Sequence, residues 1–210
     1  MSATPIRRTS PVKQVLWPAK DSLLLVGSDG ITRFDIASAS GQLIVDNKYV
    51  QQVKLSPDKK KVVYSVGDSN KSDLYLIHID GSENRQLPKT PNSVDMGGAS
   101  IPARTLENGF IANVVWYPTG DKLLVGYHYL VGLPLVGMYD FIRNSFQALG
   151  PFTLYNTDVI VDDSRLVGAR VVASTEPPSW QTTFYTLSGD PKFGVVRVIP
   201  GASSPHVFQE

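Results

Sequence analysis

The chain has 210 residues, 42% of them hydrophobic, with 20 Lys+Arg against 19 Asp+Glu for a net charge of +1. That is enough chain and enough apolar content for a packed core, which excludes a disordered tail, and the balanced charge argues against a nucleic-acid or anionic-membrane partner. The absence of cysteine rules out disulfides, thiolate metal sites and cysteine nucleophiles.

Residues 1–11, MSATPIRRTSP, are rich in Ser, Thr and Pro. Two arginines are not followed by an apolar stretch, so this is not a signal peptide; it reads as a leader or linker. From residue 12 the dominant pattern is period two in short runs, broken by Gly, Pro, Asp, Asn and Ser, which predicts strands and turns. VKQVLWPAKDSLLLV (12–26) places a strand on each side of Trp17-Pro18. Strands over 31–36 and 42–45 follow. VQQVKLSPDKKKVVYSVG (50–67) repeats the design around Pro57-Asp58, followed by strands at 73–79 and 85–87. ANVVWYPTGDKLLVGY (112–127) repeats it around Pro118, followed by strands at 135–140 and 145–149. DVIVDDSRLVGARVVAS (158–174) is a fainter copy in which Asp162-Asp163 replaces the proline, followed by 183–187 and 195–199.

Four units of four strands emerge: 12–47, 48–90, 111–150 and 151–200, with an insertion over 91–110 and a tail over 201–210. The turns recur at intervals of 39, 61 and 44 residues, from Pro18 to Pro57 to Pro118 to Asp162. A recurring four-stranded unit of about 40–50 residues has the size of a propeller blade. A β-sandwich also has many short strands but does not require the unit to recur. The expected fold is therefore all-β, a β-propeller of four-stranded antiparallel blades, with about four blades visible in a small or incomplete ring.

Within the second unit, Ser56-Pro57-Asp58 and the Asp80-Gly81 turn of LYLIHIDGSENRQL resemble the TolB-type (PD40, WD40-like) propeller repeat. Trp116, Pro118 and Gly120 match the first half of that repeat in the third unit. The likeness runs over residues 12–200, closely in one unit and loosely in the others. It implies a propeller and favours an extracytoplasmic location. Repeats of this kind report fold and leave function open.

Chemistry-bearing motifs are sparse. HExxH, GxSxG and P-loop patterns are absent. His78, His128 and His206 are scattered, which disfavours a metal in a propeller channel, and no cofactor is expected. The sequon Asn70-Lys71-Ser72 is too short a pattern to carry weight.

Topology says more. In an up-and-down blade, the blade-to-blade connection and the loop between second and third strands leave from one face. The short proline turns leave from the other. The long segment 88–111 and the loop 174–181, STEPPSWQ, therefore fall on the first face, joined there by Gly67–Asp73. Trp180 is the candidate contact anchor, with the alternative that it starts a strand and covers a blade edge. Arg104, Glu107, Asp95 and Tyr129 complete the candidate contact set. Trp17 and Trp116 occupy a repeated position and are expected to pack between neighbouring blades.

The expected function is recognition without catalysis: a propeller that binds a protein, peptide or glycan through this face. Self-association to complete the ring is a further expectation, and no transmembrane span is expected. The alternative is a propeller that accompanies a prolyl-oligopeptidase-like hydrolase domain encoded elsewhere in a longer chain.

Overall fold

The computed structural model describes residues 11–68, 70–88, 93–95, 100–102, 109–129, 135–150, 159–162, 165–172, 179–186 and 195–200. For 93–95, 100–102, 129, 135, 148–150 and the strands from Val159 onward, only the backbone is described.

All of the regular structure among the described residues is β. The first sheet is β1 (Val12–Ala19), β2 (Ser22–Gly27), β3 (Gly30–Asp35) and β4 (Ser40–Asp46). The second is β5 (Val50–Leu55), β6 (Lys61–Gly67), β7 (Ser72–His78) and β8 (Arg85–Gln86). Then come a two-stranded ribbon, β9 (Ser93–Asp95) with β10 (Ser100–Pro102), and the third sheet: β11 (Gly109–Trp116), β12 (Lys122–Tyr129), β13 (Leu135–Asp140) and β14 (Ser145–Gly150). The fourth is β15 (Val159–Asp162), β16 (Arg165–Val172), β17 (Ser179–Thr186) and β18 (Val195–Pro200). Each four-stranded sheet keeps its strands in chain order and pairs them antiparallel, so each is one meander.

The segment 88–111, expected to be irregular, contains the β9–β10 ribbon, with Asp95 opposite Ser100. In the fourth sheet the third strand begins at Ser179, earlier than residue 183.

The chain divides into two compact units, Met1–Pro88 and Lys89–Glu210. In the first unit, Leu24, Val26, Ile31 and Val45 of the first blade pack against Val50, Val53, Val62, Tyr64 and Ile77 of the second. Alternation along each strand puts these residues on facing surfaces. Tyr64 and Tyr75 are register partners and stack at 5.4 Å, and the Tyr64 hydroxyl donates to Asn84 Oδ1 at 2.7 Å. In the second unit, the third blade buries Ile111, Val114, Leu123, Leu124, Val125, Val136 and Tyr139. Trp116 stacks on Phe141 with ring centres 5.2 Å apart.

Three blades share a backbone stitch that no sequence motif announces. The amide after the third strand donates back to the first hairpin turn: Ile36 to the Asp21 carbonyl (2.9 Å), Ile79 to Lys60 (3.0 Å) and Phe141 to Asp121 (2.9 Å). This fixes positional equivalence between blades, with Ile36, Ile79 and Phe141 in one place.

The proline turns also share a design. Ser56 N donates to the Lys61 carbonyl and Tyr117 N to the Lys122 carbonyl. The residue closing each turn has positive φ, Lys59 at 59° and Gly120 at 74°. Ser56 is buried, and its hydroxyl lies 2.6 Å from Asp58 Oδ1 and 2.9 Å from the Lys61 carbonyl, while accepting from Lys61 N. One hydroxyl proton serves one of those two acceptors at a time.

The third-to-fourth strand turns carry an aspartate in all three blades. Asp35 accepts from Ser38 N and Oγ, Asp80 from Ser82 N and Oγ, and Asp140 from the Ile142 and Arg143 amides. Short polar side chains that bond the backbone two or three residues on are the usual device for such turns.

For Asp58, Asp35 and Asp80 such bonds favour the ionised carboxylate. Asp58 is held below its ordinary value mainly by the Ser56 hydroxyl, Asp35 mainly by the Ser38 amide, and Asp80 mainly by the Ser82 hydroxyl. A lowered folded-state pKa gives stability that is complete above the unfolded value and lost as pH falls. Thermal midpoints are therefore expected to hold near neutrality and to drop below about pH 4. Asp58→Asn is expected to flatten part of that acid limb. An acid limb unchanged in Asp58→Asn would show that this turn does not contribute.

One expectation about the tryptophans is corrected here. Trp17 is 58% exposed and is not packed between blades. Its strand has a bulge between Leu16 and Ala19. Val15 pairs with Leu25, so alternation puts Trp17 on the Val15 face of the sheet. That face lies opposite the one that packs against the second blade.

Candidate partner-binding face

Chain direction brings the β4–β5 connection and the β6–β7 loop together, as the meander requires. The Gly67 amide donates to the Tyr49 carbonyl at 3.2 Å, and Gln51 Nε2 donates to the Gly67 carbonyl at 2.8 Å. The β6–β7 loop closes on Asp68: its Oδ1 accepts from the Asn70 amide (2.8 Å) and the Lys71 amide (3.0 Å). Those two backbone bonds, Asn70 first, hold the Asp68 carboxyl below its ordinary value. Gly67 has φ of 151°, and a Cβ there would stand 2.1 Å from the Lys71 carbonyl oxygen, so the loop needs glycine at that point.

Tyr49 stands on this ordered base. Its amide donates to Asn47 Oδ1 at 2.9 Å, which fixes the backbone of the connection. The residue is 55% exposed, with Lys48 Nζ 5.0 Å from the ring centre. An exposed aromatic on a fixed backbone loses little conformational entropy on contact. The cation over the ring adds a modest electrostatic attraction. Tyr49 is absent from the sequence-based candidates. Its signal is an aromatic residue in the polar connection Asp46-Asn47-Lys48-Tyr49, outside the alternating strands.

The sequence-based candidates are placed less fully. Arg104 and Glu107 lie outside the described residues, as does 174–178 of the Trp180 loop. Asp95 ends β9 opposite Ser100, and Tyr129 ends β12 opposite Gly109. Trp180 is the second residue of β17, opposite Val171, so its backbone belongs to a strand and not to the preceding loop.

The opposite face is not featureless. Arg33, Asp35, Ser38, Ser40, Gly41 and Gln42 line a polar cleft of about 270 Å³ at the β3–β4 turn. Arg33 pairs with Gln42 and Asp35 with Ser40, which puts the four on one side of the hairpin. The Asp35 carboxylate is occupied by Ser38. The cleft is smaller than most small-molecule sites. Among the described residues, no group of three His, Cys, Asp or Glu is arranged to hold a metal. No helix among the described residues is long and apolar enough to cross a membrane.

Consecutive four-stranded antiparallel meanders, stacked face to face within the first unit, define a β-propeller fold. Solved structures agree. The β-propeller domain of the Trilobed protease from Pyrococcus furiosus superposes with TM-score 0.54 at 9% identity, over 93% of this chain and 58% of that one. An acylaminoacyl peptidase from Pyrococcus horikoshii gives 0.57 at 10% identity, over 90% of this chain and 32% of that one. A nidogen/laminin complex gives 0.53 at 10% identity, over 89% of this chain and 60% of that one. The chain thus spans less than two thirds of each of these three. No protein-family model matches it, and no curated protein matches it.

Proposed function

We propose that this propeller is a non-enzymatic recognition module that binds a protein, peptide or glycan through the face carrying the β4–β5 connection and the β6–β7 loop. The observation that carries this reading is Tyr49: an exposed aromatic with a lysine over its ring, held by hydrogen bonds to its own loop and to Gly67. Loops on a rigid scaffold are where recognition concentrates. Arg104, Glu107, Asp95, Tyr129 and Trp180 belong to the same proposal through chain topology. The repeat type we assign is TolB-like, supported by the Ser56-Pro57-Asp58 turn and the Asp80-Gly81-Ser82 turn.

The test is a comparative affinity capture with the native protein, Tyr49→Ala, and a form in which 92–108 is replaced by a Gly-Ser connection. Both variants are expected to keep the β-sheet spectrum, because Tyr49 is exposed and loop length adds little closure entropy per residue. Partners retained by the native protein are expected to weaken by about tenfold or more in Tyr49→Ala. Equal retention by all three forms would move the site to the opposite face.

A second reading has its own support. One similar structure is a peptidase and another is the propeller domain of a protease. In that reading the module accompanies a hydrolase domain. An α/β domain encoded after Glu210 would favour it, and a stop codon there, with no hydrolase adjoining, would remove it.

A further inference from the structure

Five of the seven exposed large hydrophobic side chains among the described residues are gathered in one place. Among the described residues, Val12, Val15, Trp17, Ile36 and Leu43 are between 41% and 58% exposed. The register puts all five on the outer face of the first blade. Val15 pairs with Leu25, Leu25 with Thr32 and Thr32 with Leu43, forming one row across the four strands. Val12 pairs with Gly27, on the same side as Leu25. Trp17 follows Val15 by two residues, and Ile36 follows Phe34 by two. The other side of this sheet, carrying Leu24, Val26, Ile31 and Val45, is the one covered by the second blade.

The second blade says what such a face is for. Through the shared stitch, Ile36 corresponds to Ile79 and Phe34 to Ile77. Pairing carries the match across the sheet: Leu23, opposite Phe34, corresponds to Val62, opposite Ile77. Leu25 likewise corresponds to Tyr64, and Val15 to Val53. Val53, Val62, Tyr64 and Ile77 are buried under the first blade, with Leu55 and Ile79 packed beside them. The outer face of the first blade is therefore, position for position, the face that the second blade buries under its neighbour. What fits it is another blade.

We propose that a second copy of this chain covers this face, continuing the blade-on-blade packing seen within the first unit. Among the described residues, one copy carries four four-stranded sheets. A two-fold pair, in which each copy's blade covers the other's, closes and leaves no open end. Five exposed apolar side chains on one sheet face mark an interaction surface on a folded protein.

The experiment is the solution mass of the protein by light scattering across the micromolar range, with three variants. The native chain is expected at twice its own mass. Trp17→Arg and Leu43→Arg change different strands of the row, and each is expected to raise the dissociation constant by about 30-fold. Ile142→Arg, at an exposed position in the β13–β14 turn, is expected to leave the dimer intact. Should an arginine variant lose its β-sheet spectrum, Trp17→Ala removes contact area without adding charge and takes its place. A native chain that is monomeric throughout overturns the proposal and leaves the face to a foreign sheet. A dimer indifferent to the Trp17 and Leu43 changes overturns it equally.

Discussion

Gly30→Ala is expected to lower stability by about 3 kcal/mol or more. Gly30 opens β3 with φ of 122°, a conformation essentially closed to residues with a side chain. A Cβ at this position would stand 1.9 Å from the Val45 carbonyl oxygen and 2.9 Å from its carbon. Those are backbone atoms of the neighbouring strand, so no side-chain rotation relieves the overlap. β3 and β4 would have to part, and with them Ile31 and Val45, which hold the second blade. Gly41→Ala is the control. Its nearest neighbour would be Thr32 Cγ2 at 3.2 Å, on an exposed hairpin, and a change within about 0.5 kcal/mol is expected. Denaturant titration of both variants decides the matter: similar midpoints would show that the first blade tolerates a side chain at residue 30.

The parts of this fold that depend on local chemistry are legible in the sequence. Pro57-Asp58 and Pro118 mark turns because proline presets φ and the flanking residues close backbone bonds within six residues. The fourth unit lost its proline, yet its four strands are present, because ladder hydrogen bonds need alternation more than they need a motif. β17 starts at Ser179, directly after Pro177-Pro178 in the sequence, so Trp180 is drawn into the strand.

Tertiary properties are less legible. Alternation assigns Trp17 to a sheet face, but whether anything covers that face depends on a neighbour outside the strand's own pattern. Tyr49 is in the same position: its exposure and its bond partners follow from two loops meeting, 16 residues apart at Gln51 and Gly67. The candidate face could be inferred from chain direction. The side chain that stands out on it could not.

The contrast between Trp116 and Trp17 tests that distinction directly. Both lie on the corresponding face of their blades, one register step from equivalent pairs: Trp116 is opposite Leu123, which is opposite Tyr139. Trp116 is half-buried and stacked on Phe141, which in turn meets Tyr139 edge-on at 4.8 Å. Truncation removes the stack and opens space in a packed aromatic row, so Trp116→Ala is expected to cost about 3 kcal/mol, the low end for a large aromatic because the ring is not fully enclosed. In the first blade the corresponding pair is Trp17 and Ile36, and both are exposed. Trp17→Ala is therefore expected to change the stability of the isolated chain by no more than about 0.5 kcal/mol. If a second copy covers that face, the native protein gains stability with concentration, and Trp17→Ala loses most of that gain. Denaturation at low and high protein concentration separates the two effects. Equal losses for Trp116→Ala and Trp17→Ala at low concentration would mean that the outer face of the first blade is covered within a single chain.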